Sequence, residues 1–340
     1  MTSRHGTQGG DGRSGEERLI ARFFGPLATH PGALGLIDDA AVVGVPVGHD
    51  LVVKTDAIIG GVHFFLDDPP DAVAKKALRV NLSDLAAKGA QPLGFLLSIA
   101  LPTGIGDSWL EGFSAGLGAD AERFGCPLLG GDTDRTPGPV TISISAFGTL
   151  PRGTMVLRSG ARPGDRLVVT GSIGDAAIGL VLRRDRQAAR RWGLDSAMEE
   201  HLLRRYSLPE PRNALAEALR RYAHGGMDIS DGLAGDLAKM CRASQVAATV
   251  EVARVPLSKA ARRALAAEPR LLDAILTGGD DYEVLASVAK SEVGNLAAEA
   301  AVAGVTTTEI GAVGIGEGKA RFFGRDGTEL AFVRSSFSHF

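Results

Sequence analysis

The chain has 340 residues, length enough for roughly two domains, and 44% of them are hydrophobic, which supplies packed cores. A net charge of −3 offers no basic field for nucleic acid, and no basic cluster interleaves with aromatics. The longest apolar run, residues 95–101, falls short of the ~20 residues of a membrane-spanning helix, and residues 1–15 lack the apolar centre of a signal peptide, so the expectation is a cytoplasmic protein without membrane contact.

Residues 1–15 are small, polar and charged without periodicity and read as a disordered tail. Leu19, Ile20, Phe23 and Phe24 recur at helical spacing before Gly25-Pro26 breaks the pattern. Asp38 and Asp39 then precede Ala40-Ala41-Val42-Val43, which reads as a strand; paired acids at a strand mouth face either solvent or a cation. In residues 51–64, β-branched residues run into Thr55-Asp56, the turn Gly60-Gly61 and His63. That is the pattern of a strand carrying oxygen ligands to its end, although a strand ending in Asp is also the ordinary start of a turn. Pro69-Pro70-Asp71 opens an amphipathic helix through Val73, Ala77, Leu78, Leu82 and Leu85, stopped by Gly89. Asp84 in its last turn opposes the helix dipole, so it either has a cation or donor beside it or is itself a ligand.

Residues 93–101 have strand length and residues 109–124 a helical pattern. Residues 126–129 read as a short strand into Gly130-Gly131-Asp132-Thr133-Asp134, where glycines before acids suit close approach to a phosphate with a metal alongside. Cys126 and Cys241 are too few for a disulfide framework or zinc cluster and read as buried thiols. From Val140 to Phe147 apolar and polar residues alternate, as in a half-buried antiparallel strand. Residues 150–165, rich in Gly, Pro and Arg, mark a domain boundary, and a strand at 167–170 begins a fresh alternation with helices near 173–183, 198–206 and 211–223. Asp228, Ser230 and Asp231 at the entry of a helix through Leu237 and Met240 read either as an N-cap or as a phosphate and metal site. Gly278-Gly279-Asp280-Asp281-Tyr282 is a glycine turn and acid pair feeding a further strand. The mixed order of strands and helices indicates α/β or α+β layers.

Acids therefore stand at element ends in five separated places: Asp38/Asp39, Asp56, Asp84, Asp132/Asp134 and Asp228/Asp231. With so few Cys and scattered His, this inventory selects a hard cation, Mg²⁺, and Mg²⁺ beside glycine-rich turns implies a polyphosphate such as a nucleotide. Neither a Gly-x-x-x-x-Gly-Lys-Ser/Thr loop nor a protein-kinase glycine loop with His-Arg-Asp is present, so a different ATP fold is required.

The segments Asp38-Asp39-Ala40-Ala41-Val42, Thr55-Asp56 with Gly61-Val62-His63-Phe64, Asn81-Leu82-Ser83-Asp84-Leu85-Ala86, Gly130-Gly131-Asp132, Met227-Asp228-Ile229-Ser230-Asp231-Gly232-Leu233 and Gly278-Gly279-Asp280-Asp281-Tyr282 together resemble the thiamine-monophosphate kinase family. That family shares a superfamily with aminoimidazole ribonucleotide synthetase and selenophosphate synthetase. The resemblance, over residues 16–340, implies an N-terminal metal- and nucleotide-binding domain to residue 150 whose sheet pairs across a homodimer, and a C-terminal α/β domain over 151–340. It implies γ-phosphoryl transfer from ATP to thiamine monophosphate, with several Mg²⁺ ions on Asp39, Thr55, Asp56, Asp84, Asp132, Asp228 and Asp231. Gly131, Asp132, Arg158 and Ser230 would contact ATP, and His63, Asp280 and Phe337 the thiamine phosphate. Departures exist: the family's usual Gly-Gly-Glu-Asp appears as Gly278-Gly279-Asp280-Asp281, one methylene shorter on the substrate side. The alternatives are another ATP-dependent enzyme of the superfamily or a non-catalytic nucleotide-binding regulator.

Overall fold

The structure, a computed structural model, describes residues 14–332. Ser14 caps α1 (Gly15–Leu19) by accepting from the Glu17 amide at 3.1 Å, and the rest of the expected tail lies outside the described residues. The helix widens into a π-turn that carries Phe23 and Phe24 into the first core. Residues 40–43 form no strand, contrary to the sequence reading. The Val42 amide donates to the Gly32 carbonyl at 2.8 Å instead of joining a sheet, and the Val42 side chain stays exposed.

The first sheet comprises β1 (His49–Ile59), β2 (Gln91–Pro102), β3 (Leu128–Thr136) and β4 (Thr141–Pro151) in the order β1-β4-β2-β3, covered on one face by α2 (Pro70–Ala87) and α3 (Asp107–Phe124). β4 is antiparallel to both its neighbours, as its alternation indicates, and β3 runs parallel to β2 after the α3 crossover. Gly130 to Asp134 lie inside β3, where a turn beyond the strand was expected. The ladder with β2 overrides their low strand propensity. A Cβ on Gly131 would fall 1.8 Å from the Leu97 carbonyl oxygen, so this glycine serves the strand pairing itself.

The second half contains β5 (Arg166–Thr170), α4 (Asp175–Arg184), α5 (Ala188–Trp192), α6 (Ser196–Ser207), α7 (Ala216–Tyr222), β6 (Ala223–Ile229) and α8 (Leu233–Ser244). It continues with β7 (Ala247–Glu251), α9 (Lys259–Ala267), α10 (Leu271–Thr277), β8 (Glu283–Val288), α11 (Val293–Val302), β9 (Thr307–Gly314) and β10 (Ala320–Phe323). Its sheet runs β10-β7-β9-β5-β8-β6. β6 went unread in the sequence because Gly225-Gly226 looks like a turn, yet it pairs antiparallel with β8.

α2 is the element between the halves. Leu78, Leu82 and Leu85 are wholly buried, and so are its polar residues Lys76, Arg79, Asn81 and Ser83. The helix packs on β1, β4 and α3 on one side and on β6, β8, α6 and α7 on the other, which brings N-terminal acids against C-terminal loops. Cys126 and Cys241 are buried, and burial pushes their thiols up to about 12 and about 11. Among the described residues no helix is long and apolar enough to cross a membrane.

Candidate active site

Alternation along β1 decides which of its residues can meet. Lys54 and Asp56 share the α2 side with buried Val52 and Ile58. Thr55 points to the other face, where its hydroxyl donates to the Ile144 carbonyl at 3.1 Å and accepts from Ser145 Oγ at 3.2 Å. Lys54 Nζ lies 2.8 Å from Asp84 Oδ2 and 3.1 Å from Asp56 Oδ2. This is the cation that the position of Asp84 near a helix C-terminus called for. Asp228, buried at the end of β6, accepts from Ser83 Oγ at 2.8 Å.

Burial, and then the charge of Asp84, hold the Asp228 carboxyl well above the usual carboxylate range. Burial also raises Asp56 against the pull of Lys54, with Asp84 and Asp231 adding to the rise. Asp56 and Asp84 share the Lys54 ammonium while like charge raises both Asp56 and Asp228, and a bound cation would relieve that repulsion. Among the described residues no three acidic, His or Cys side chains form a ready metal cage. The donor set is all oxygen, which suits a Mg²⁺ ion that keeps several waters.

Asp228, Ser230 and Asp231 do not cap α8. The N-cap position is Gly232, without a side-chain cap, and the work falls to Asp236 inside the first turn. Its Oδ2 accepts from the amides of Ser230 at 3.0 Å and Asp231 at 2.9 Å, and its Oδ1 accepts from Lys239 Nζ at 2.8 Å. Asp231 also pairs with Lys239. Sequence reasoning missed Asp236, for which an acid one turn into the helix was the available signal. The two acidic loops interlock: the Asp280 amide donates to the Ser230 carbonyl at 2.9 Å and the Tyr282 amide to the Ile229 carbonyl at 2.8 Å. A Cβ on Gly279 would lie 2.3 Å from the Ser230 carbonyl oxygen, so only glycine permits this approach.

On the outer face of the first sheet the register Asp132–Ser98–Ser143–Ala57 places Asp132 beside the Thr55 row. Asp38, Asp39, Gly131 and Asp132 line a cavity of about 880 Å³ there. The sheet therefore divides the expected ligands, with Asp56, Asp84, Asp228 and Asp231 on its α2 side and Asp39, Thr55, Gly131 and Asp132 on the other. Arg158 is exposed near Lys88, whose Nζ donates to the Gly226 carbonyl at 2.7 Å. Burial, and then the Arg158 charge, push the Lys88 ammonium below its ordinary range. Lys54 and Lys88 were both passed over in the sequence, since a lysine in a strand or at a helix end usually faces water.

Residues 37–150 match the AIR synthase related protein N-terminal domain and residues 162–322 its C-terminal domain. Over 314 residues the chain is 42% identical to the thiamine-monophosphate kinase of Caulobacter vibrioides, covering 91% of this chain and 87% of that one. The chain belongs to the thiamine-monophosphate kinase family. A solved thiamine-monophosphate kinase from Stenotrophomonas maltophilia, 36% identical, superposes with a TM-score of 0.80 over 92% of this chain and 96% of that one. A solved ThiL complexed with AMPPCP and TMP, 29% identical, superposes with a TM-score of 0.74 over 96% of this chain and 94% of that one.

In this member of the thiamine-monophosphate kinase family His63 and Asp280 come together across the two halves. His63 Nδ1 accepts from the Ile59 amide at 3.0 Å, which anchors the ring in the turn after β1. The His63 carbonyl accepts from Lys76 Nζ at 2.9 Å, and the same ammonium lies 3.1 Å from Asp280 Oδ2. The acid pair divides: Asp281 is buried the other way, accepting from the Gly174 amide at 2.7 Å at the start of α4. Burial holds the Asp281 carboxyl well above its usual range. Phe337 lies outside the described residues.

Proposed function

We propose that this chain transfers the γ-phosphoryl group of ATP to thiamine monophosphate, giving thiamine diphosphate. The observation that carries the reading is the convergence of Asp56, Asp84 and Asp228 between the two halves of a chain 42% identical to a thiamine-monophosphate kinase over 91% of its length. Asp56, Asp84, Asp228 and Asp231 on one side, and Asp39, Thr55 and Asp132 on the other, would hold Mg²⁺. When bound, these ions neutralise charge on the phosphates and on the oxygens that gather it during transfer. Gly131, Asp132, Arg158 and Ser230 are assigned to ATP, and His63, Asp280 and Phe337 to the acceptor. An acceptor phosphate oxygen is already ionised near neutral pH, so the side chains have no general base to supply. They position the two phosphates in line and keep water from competing.

Transfer of a labelled γ-phosphate from ATP tests this, with unphosphorylated thiamine as the control acceptor. Label should enter thiamine diphosphate and be absent from the thiamine control; transfer to neither acceptor ends the kinase reading. His63→Ala should raise KM for thiamine monophosphate by about tenfold, the worth of one hydrogen bond, with little change in KM for ATP. Equal changes in both would make His63 a filler of its turn.

The same reading puts a metal- and nucleotide-binding domain at 16–150, a C-terminal domain at 151–340 and a homodimer in the cytoplasm; of the tail expected at 1–15, Ser14 and Gly15 belong to the cap and first turn of α1 and the rest lies outside the described residues. β4 is bonded on both flanks, so a second copy would join along the outer edge of β1 or stack on the face that exposes Leu51 and Val53. Sedimentation at micromolar concentration should give a dimer, and a monomer contradicts this part of the proposal.

A further inference from the structure

Lys76 stands in the middle of α2 with 2% of its surface exposed. A lysine so placed keeps its charge only if every donor on the ammonium is answered. Three groups from three elements answer it. The His63 carbonyl accepts from Nζ at 2.9 Å, Asp280 Oδ2 lies at 3.1 Å, and the Tyr206 ring centroid lies 4.1 Å away, within cation–π range. The Tyr206 hydroxyl reaches the same His63 carbonyl at 3.5 Å. One buried ammonium thus ties the turn after β1, the loop before β8 and α6 to the helix between the two halves.

Asp280 is the partner under constraint. Its φ of 71° is in the left-handed region, which a non-glycine residue adopts at a cost, and its amide is fixed on the Ser230 carbonyl at 2.9 Å. Its side chain is 27% exposed, with Oδ2 on Lys76 and Oδ1 without a hydrogen-bond partner among the described residues. The outward oxygen is a pure acceptor carrying negative charge, so it repels an acceptor molecule's phosphate and matches an N–H or O–H donor elsewhere on that molecule.

We propose that Lys76 is a positioning residue for acceptor recognition: it clamps Asp280 from beneath, across the junction between the two halves, so that Oδ1 alone is presented to a donor group of the acceptor. The inference rests on the assignment of Asp280 to thiamine monophosphate. Lys76 does not touch the acceptor itself, so its effect passes through Asp280 and is absent when Asp280 has no charge to orient.

The test is a double-mutant cycle on the full chain with Lys76→Met, Asp280→Asn and the double variant, reading KM for each substrate, kcat, and thiamine monophosphate binding by calorimetry without ATP. Lys76→Met is expected to raise KM and Kd for thiamine monophosphate about tenfold with KM for ATP within about twofold. Asp280→Asn should do the same, and the double variant should be no worse than either single. Lys76→Gln keeps a donor in the same cavity and should recover part of the affinity, which provides a second reading if the Met variant folds poorly. Multiplying effects in the double variant, parallel losses for ATP, or an unchanged KM for thiamine monophosphate in both Lys76 variants would overturn the clamp. Wild-type protein that neither binds nor phosphorylates thiamine monophosphate overturns the kinase reading and the clamp together, whereas wild-type turnover with an unaffected Lys76→Met overturns the clamp alone.

Discussion

Asp56→Asn and Asp84→Asn should each lower kcat by about 10²- to 10³-fold while the protein stays folded. Both carboxylates face one ammonium at 3.1 and 2.8 Å, and Asp84 also acts on the buried Asp228, so each contributes charge that a Mg²⁺ ion would need and the fold does not. Asparagine keeps the shape and removes a like charge, from beside Asp228 at position 84 and from beside Asp84 at position 56. Lys54 retains its other partner in either variant, so metal-free stability should hold within about 1 kcal/mol. The measurement is kcat across a Mg²⁺ titration beside urea unfolding in a chelator. Near-normal turnover of both variants at saturating Mg²⁺ would remove the pair from the site, and a collapse in stability would make them scaffold residues.

These two acids were legible in the sequence for different reasons. Asp56 ends a run of β-branched residues, and Asp84 violates helix-dipole preference, so each carried a local signal. What could not be read was the face. Thr55 and Asp56 are adjacent, and a strand sends neighbours to opposite sides, so grouping them as ligands of one cluster needed the register with β4 to show that the sheet stands between them. Lys54 shows the same limit, since nothing in the sequence says that its side of the strand is the one α2 covers. α2 itself was plain from its apolar spacing and its Pro and Gly stops. Its burial on every side was not, because the second half that covers Lys76 and Arg79 packs from more than 120 residues away along the chain, as the Arg79 bond to the Pro209 carbonyl illustrates. Residues 40–43 were read as a strand from composition alone, and composition cannot say whether a sheet edge is at hand.

Glu283→Gln should destabilise the C-terminal half by about 3–5 kcal/mol, out of the 5–15 kcal/mol typical of a folded domain, because it removes one side of a buried ion pair. The Glu283 carboxylate is closed from solvent and accepts from Thr170 Oγ1 at 2.6 Å, Arg205 Nη2 at 2.9 Å and Arg212 Nε at 2.7 Å. Glutamine fills the same space but leaves two guanidinium groups, with side chains 6% and 19% exposed, without their counter-charge. Trp192 lies in the core of this half, so in a Trp109→Phe background its emission isolates the relevant transition in urea. The midpoint should fall sharply, while KM for ATP and thiamine monophosphate at low temperature stays near the parent value. A loss below about 1 kcal/mol would mean that the arginines find water or another partner. Asp280 and Glu283 stand three residues apart in one acidic motif, and the chain turns the first toward the cleft and the second into the scaffold. The difference follows from the interlocked loops: once the amides of Asp280 and Tyr282 are fixed on Ser230 and Ile229, the alternation of β8 commits Glu283 to the side on which Arg205 and Arg212 wait.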